Sequence, residues 1–225
     1  QAIAAVDVAL YDLLGKEHGA PVYDLLAGER EPTTGLDLYA SAGMYMEPEG
    51  YAEQAATIRD CGFFGYKYRP GIGPGGDRRT FERLREVAGE MAVMADAHTW
   101  WKAGGGYGRD RVCEIVDEWA GEIYWVEEPV PPDDHDGYVE VADRTGAPIA
   151  GGESEETPAG LVALAETGAV DFVQGDVRHH RGFTGCLEAV EHCNATDGVR
   201  YVPHHFGTLL GLVANAHLLA GAVDG

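Results

Sequence analysis

Two adjacent acids close an otherwise apolar run at Tyr124-Trp125-Val126-Glu127-Glu128-Pro129. A buried strand has no use for such a pair unless its end opens into a site, so the run reads as a strand mouth that holds a metal or moves protons. Met91 to Asp96, continued by Ala97-His98, is a second apolar run ending in an acid, and Ala147 to Glu153 is a third. Asp96, Glu127 and Glu153 are spaced by 31 and 26 residues, close to the roughly 30 residues of one strand plus its crossover helix. Hard carboxylates from successive units suit Mg²⁺, which takes oxygen ligands and keeps positions for water and substrate. Lys67, Arg69, His98, Asp176 and His204 are further polar residues at the ends of apolar runs. In so acidic a chain one such acid alone is more often a solvated loop residue; three at equivalent places fit a shared site better.

The elements that must position these residues alternate along the chain. Apolar residues at helical spacing (Ile3, Val6, Ala9, Leu10, Leu13, Leu14) predict an amphipathic helix over 2–15, and Val22 to Leu26 with Gly28 closes that segment. Seven strand and helix pairs follow, with strands at 36–41, 63–69, 91–96, 123–127, 149–153, 170–176 and 201–204. The strands are too apolar to be solvated on either face, which predicts a parallel sheet. The regular period favours a (β/α)8-type barrel over an open doubly wound sheet, and such a barrel places its chemistry at strand C-termini. The glycine-dense Gly71 to Gly76 carries a proline and lacks a phosphate-loop Lys-Ser/Thr, so it reads as a mobile βα loop, not a phosphate cradle. The pattern stops after the seventh helix, one strand short of eight, which suggests a piece of a longer protein.

Composition narrows the class. At 225 residues with 45% apolar content the chain can bury a large core as one domain. No apolar run nears the roughly 20 residues of a membrane span, and Gln1-Ala2-Ile3 carries no leader pattern; a cytoplasmic, soluble protein is expected. Acidic residues number 38 against 16 basic, a net charge of −22, and the lysines are Lys16, Lys67 and Lys102 alone. That field disfavours nucleic acid and anionic membranes as partners, and fits a halophilic setting where salt screens the self-repulsion. Cys61, Cys113, Cys186 and Cys193 lack metal or redox spacing and read as reduced, partly buried thiols.

The motifs together resemble the mandelate racemase subgroup of the enolase superfamily over nearly the whole chain. Val6-Asp7-Val8-Ala9-Leu10-Tyr11-Asp12-Leu13-Leu14-Gly15-Lys16 is similar to the helix leading into that family's barrel, and Lys67-Tyr68-Arg69 to its KxK. Asp96, Glu127 of Val-Glu-Glu-Pro and Gly152-Glu153 are similar to its three Mg²⁺ ligands, and Gln174-Gly175-Asp176 with Pro203-His204 to its Asp–His dyad. The resemblance implies a modified (β/α)8 barrel with about seven βα units here, residues 1–30 forming helix and connector from a capping region and 31–225 the catalytic domain. It implies removal of a proton α to a carboxylate, with Mg²⁺ stabilising the enediolate and His204, oriented by Asp176, as base. His205 competes for that role; Pro203 directly before His204 favours the latter. A small carboxylate substrate and a homo-oligomer are further implications.

The reaction follows from finer differences. The segment Asp176-Val177-Arg178-His179-His180-Arg181 lacks the lysine of the muconate cycloisomerase branch, which disfavours it. Arg69 stands where racemases carry a second lysine; arginine stays protonated, a poor base and a good carboxylate or hydroxyl clamp, which leaves Lys67 for any second base. Asp96-Ala97-His98 is similar to the Asp-x-His of galactonate and mannonate dehydratases, so His98 could serve as acid on the departing β-hydroxyl. The expectation is a sugar acid (aldonate or aldarate) dehydratase giving a 2-keto-3-deoxy acid. A mandelate racemase-like racemase or epimerase is the alternative within enzymes, and an inactive metal-binding barrel the alternative outside them. Arg178 to Arg181 replaces the family's small residues, to close on an anionic substrate or offset acidic repulsion. Trp100, Trp101 and Lys102 either cover the site or pack.

Overall fold

A computed structural model describes residues 1–102 and 106–224. In chain order its elements are α1 (Ala2–His18), α2 (Val22–Ala27), β1 (Tyr39–Met44), α3 (Pro48–Asp60), β2 (Gly65–Arg69), α4 (Pro74–Ala88), β3 (Ala92–Asp96), α5 (His98–Lys102), α6 (Arg109–Trp119), β4 (Trp125–Glu127), α7 (His135–Thr145), β5 (Ile149–Gly151), α8 (Pro158–Glu166), β6 (Phe172–Val173), α9 (Gly182–Asn194), β7 (Arg200–Tyr201) and α10 (Leu209–Ala222). The strands are parallel, in the order β1-β2-β3-β4-β5-β6-β7. The chain divides into two compact units: a central one, Asp37–Ala150, and a flanking one made of Gln1–Leu36 with Gly151–Gly225.

In the central unit the alternation of β2 sets the chemistry. Tyr66 and Tyr68 share one face, where Tyr68 meets Tyr51 of α3 and Trp119 of α6 at centroid distances of 5.4 and 6.4 Å. Lys67 and Arg69 therefore share the other face, because successive side chains of a strand point to opposite sides. The register pairs Tyr68 with Ala95 and Asp96 with Glu127, so the acids ending β3 and β4 are direct neighbours. Prolines at the first turn start α3 and α4 (Pro48, Pro74), and Asp134 caps α7 by accepting from the Gly137 N–H.

In the flanking unit the Gln174 N–H donates to the Gly151 carbonyl at 2.8 Å, and β6 pairs with β7 at Phe172–Arg200 and Val173–Tyr201. α1 joins α9 through polar contacts: Thr184 Oγ1 and its N–H donate to the Asp7 carboxylate at 2.6 and 3.2 Å. Asp7 thus supplies α9 with the N-terminal acceptor that its own cap residue, Arg181, does not. Gly182 has φ +81°, and a Cβ there would lie 2.2 Å from Asp7 Oδ2, so only glycine permits this approach.

Several boundaries differ from the sequence reading. β1 begins at Tyr39, where pairing with Gly65 starts, and Leu38 is exposed. β6 and β7 are two residues each, so Asp176 and His204 stand on the loops after them. The apolar stripe of α1 does not face the unit's interior: Ile3, Val6, Leu10 and Leu13 are 58–66% exposed, while Ala4 and Gly15 are buried. The segment read as a loop over 71–76 is in part the first turn of α4, and its Gly71 and Ile72 N–H groups donate to Asp77 Oδ1. The short helix α5 was not visible in the sequence pattern. Cys113, Cys186 and Cys193 are buried and Cys61 exposed, all free. Among the described residues no helix is long and apolar enough to cross a membrane.

Candidate active site

The central unit brings Lys67, Arg69, Asp96, His98 and Glu127 together. Glu127 is fully buried, and Lys67 Nζ donates to both its oxygens at 2.6 and 2.5 Å. Burial alone would lower the Lys67 pKa; the Glu127 carboxylate beside it wins and raises it, so Lys67 is held as a cation. As arranged it is a charge partner of Glu127, and service as a second base would require it to release that carboxylate. Asp96 is also fully buried and lies against His98 and Arg69. His98 Nδ1 is 2.6 Å from its Oδ1, and Arg69 Nε is 3.2 Å from its Oδ2 without hydrogen-bond geometry. Burial raises the Asp96 pKa, but the His98 hydrogen bond and the charges of Lys67 and Arg69 outweigh it and bring it down to about 2. Glu128 is buried too, with φ 44°, a strained value for a residue with a side chain.

The flanking unit brings Glu153, Asp176 and His204 together. His204 spans two acids: Nδ1 is 3.2 Å from Asp176 Oδ2, and Nε2 is 3.0 Å from Glu153 Oε2. Asp176 is fully buried and accepts from the Arg178 N–H at 2.9 Å, from Arg178 Nη2 at 2.9 Å and from Asn215 Nδ2 at 3.2 Å. Burial would raise its pKa; the hydrogen bonds from His204 and Arg178 hold it well below the usual carboxylate range. Asn215 also donates to the His204 carbonyl at 3.1 Å, so one amide fixes the His204 backbone and the Asp176 side chain.

These contacts decide what the Arg178 to Arg181 run does. Arg178 forks onto Asp176 and donates to the Phe206 carbonyl, tying the loop after β7 to the dyad. His180 is buried: its Nδ1 accepts from the Asp176 N–H at 2.9 Å and its Nε2 bonds the Glu155 carbonyl at 2.9 Å, and burial lowers its pKa. It is a neutral backbone brace. From sequence Arg178 reads only as part of a run that closes on an anionic substrate or offsets acidic repulsion, and the structure puts it on Asp176 instead; Asn215 carries one weak signal, an amide inside the apolar run of α10.

Two acids of the set the sequence suggests for Mg²⁺ stand side by side. Asp96 and Glu127 sit in register on adjacent strands, both buried, and Asp96 Oδ2 accepts no hydrogen bond. That oxygen has only the misaligned Arg69 guanidinium, 3.2 Å away, to offset its burial, and two buried carboxylates side by side offer the hard oxygen donors a divalent ion takes. In the flanking unit Glu153 carries a carboxylate of the same type, held against His204 Nε2.

Acids at successive strand ends and an Asp–His pair on a parallel βα repeat define a class of α/β protein whose polar side chains gather where the strands end. The chain belongs to the mandelate racemase and muconate lactonizing enzyme family of the enolase superfamily: the description "Enolase C-terminal domain-like" matches residues 50–224, and "Mandelate racemase / muconate lactonizing enzyme, N-terminal domain" matches residues 1–27. Its fold class is that family's modified (β/α)8 barrel, represented by seven βα units. A D-galactarolactone cycloisomerase of Agrobacterium fabrum is 32% identical, the match covering 97% of this chain and 57% of that protein. An L-rhamnonate dehydratase of Saccharopolyspora erythraea is 33% identical over 90% of this chain and 50% of its own length. A racemase from Streptomyces coelicolor A3(2), solved with bound magnesium, aligns with a TM-score of 0.85 at 26% identity, covering 99% of this chain and 59% of that one. The chain thus spans about half the length of the curated relatives it matches.

Proposed function

We propose that this chain is the catalytic part of a Mg²⁺-dependent sugar acid dehydratase, in which residues 1–30 lead in from a capping region and 31–225 form the barrel domain. One observation carries the reading. Two histidines each have Nδ1 against a buried aspartate, His204 on Asp176 and His98 on Asp96. An elimination needs a base for the α-proton and an acid for the departing β-hydroxyl, and two imidazoles oriented through Nδ1 supply both through Nε2. Mg²⁺ held by Asp96, Glu127 and Glu153 would supply Lewis-acid stabilisation of the charge that develops on the substrate carboxylate.

His204 takes the α-proton on Nε2, for which Glu153 must first release that nitrogen. Asp176 stabilises the resulting imidazolium. The C–O bond to the β-hydroxyl breaks as His98 Nε2 delivers a proton to the leaving oxygen, water departs, and the enol left behind tautomerises to the 2-keto-3-deoxy acid. The Arg69 guanidinium, with Lys67, whose charge Glu127 maintains, suits the substrate carboxylate and hydroxyls. A second reading deserves a place in the same assay: a lactone whose ring oxygen lies β to a carboxylate would be opened by the same two proton transfers, and one of the relatives is a cycloisomerase.

The test is made on the complete protein in molar KCl with Mg²⁺, against a panel of aldonic and aldaric acids and an aldarolactone, scoring 2-keto-3-deoxy product. The dehydratase reading expects one acid to be dehydrated, and His204→Asn and His98→Asn to abolish it. Inversion at the α-carbon without elimination, with His98 dispensable, would replace it by a racemase or epimerase; opening of the lactone alone would replace it by a cycloisomerase.

A further inference from the structure

Three consecutive side chains of α5 are each fastened to a different neighbour. Thr99 Oγ1 donates to the Pro70 carbonyl just past β2, Trp100 Nε1 to Asp77 Oδ2 at 2.9 Å, and Trp101 Nε1 to the Glu128 carbonyl at 2.9 Å. The residue before them is His98. A helix this short has no stability of its own, so the placement of the His98 ring rests on those ties together with its own contact to Asp96 Oδ1 at 2.6 Å. The backbone at β2's end is shaped for one of them: Gly71 has φ +137°, and a Cβ there would lie 2.8 Å from Thr99 Oγ1.

Asp77 stands apart from the other anchors, which are backbone carbonyls. It is fully buried in the first turn of α4 and accepts four hydrogen bonds. Oδ1 takes the N–H groups of Gly71 at 2.8 Å and Ile72 at 3.1 Å; Oδ2 takes Trp100 Nε1 at 2.9 Å and the Tyr107 hydroxyl at 2.5 Å. All four partners are neutral donors, so a buried carboxyl group is held by hydrogen bonds alone, an arrangement that tolerates little displacement. Trp100 is also stacked on Tyr107 at 5.3 Å and 10°. The carboxylate thereby joins the loop after β2 to the helix that begins at His98.

We propose that Asp77 is a positioning residue for His98: through Trp100 it fixes α5 so that the His98 ring stays on Asp96 and faces the leaving group. The proposal rests on the reading of His98 as the acid. An amide at position 77 would present a donor where every partner is a donor, so Asp77→Asn breaks one side of the cluster. Trp100→Phe keeps the ring and removes only the tie.

The primary test does not depend on turnover. Complete protein labelled with ¹⁵N-histidine in molar KCl is followed by long-range ¹H–¹⁵N correlation of the imidazoles, and His98→Asn identifies the His98 signals. Trp100→Phe and Asp77→Asn are expected to shift the His98 ring signals, with those of the remaining histidines in place. Tyr107→Phe, which removes the other donor to Asp77 Oδ2, is expected to leave His98 unmoved. In the reaction, both disruptive variants should lower the ratio of β-elimination to α-deuterium release by about 10- to 100-fold, the scale of an ångström-sized misplacement. His98 signals unmoved in Trp100→Phe, or all imidazoles moving together, would overturn the proposal. If His98→Asn itself keeps full elimination, the assignment of the acid falls and this role with it; if His98→Asn loses elimination while the Asp77 and Trp100 variants keep both readouts, the positioning role alone falls.

Discussion

Replacing Lys67 by methionine removes the ammonium that holds Glu127 and leaves a side chain of similar length. Lys67 is 2% exposed and Glu127 0%, and the ammonium contacts both carboxylate oxygens within 2.6 Å. Breaking a buried pair from one side strands the other charge, at a cost of about 3–5 kcal/mol. For a chain of this size that corresponds to a fall in Tm of about 6–20 °C. The loss belongs to the metal-free protein. If Glu127 is a Mg²⁺ ligand, Lys67 competes with the ion for the same oxygens, and Lys67→Met must bind Mg²⁺ more tightly than the native protein. Mass action then restores stability, by about 2.7 kcal/mol at a hundredfold excess over Kd. The assay is thermal unfolding in molar KCl with EDTA and across a Mg²⁺ series. A large loss in EDTA that Mg²⁺ selectively recovers supports the reasoning. An unchanged Tm in EDTA would refute the buried pair, and a loss that Mg²⁺ leaves untouched would refute Glu127 as a ligand.

Other consequences follow from the flanking unit. Asn215→Leu strands the Val177 N–H and removes the amide shared by Asp176 and the His204 carbonyl; a loss of about 1–3 kcal/mol in a urea titration is expected, with α-proton removal weakened and Mg²⁺ affinity preserved. Asp176 is depressed in the folded state, so against an unfolded value near 3.9 its stabilisation is complete above about pH 4 and is lost as pH falls through the native value. Arg178→Gln removes one cause of that depression and should move the acid unfolding midpoint upward, read by circular dichroism. Gly182→Ala forces a Cβ against Asp7 at a backbone φ of +81° and should cost at least about 1–2 kcal/mol, seen as a lower Tm.

The acids at the ends of apolar runs drew notice because a carboxylate or imidazole after an apolar strand has no ordinary packing role. Asp96 and Glu127 close β3 and β4, and Asp176 and His204 each stand three residues past β6 and β7, whereas Lys67 lies within β2, so the period of the chain marks these positions only to within a few residues. What surrounds them was not legible. Asp77 looks like any helix-start acid, and its burial depends on Trp100 and Tyr107 folding back over it. Asn215 makes its contacts from a helix after the seventh strand, a relation no local pattern encodes. Arg178 and His180 differ in role because one side chain reaches Asp176 and the other its backbone, a distinction of direction within three residues. The α1 stripe misled for a related reason: periodicity marks an apolar face, and here α9 is met by Asp7 and Tyr11 while that face stays exposed.

Removal of a proton α to a carboxylate by His204, held by Asp176, is the step on which the proposed function stands. An α-deuterated aldonate drawn from the acids that the complete protein turns over, in molar KCl with Mg²⁺, reports that step by release of the label to solvent. Release by the native protein and none by His204→Asn is expected, with the Mg²⁺ affinity of the two proteins alike. Label retained in the product, or released equally by His204→Asn, would contradict it.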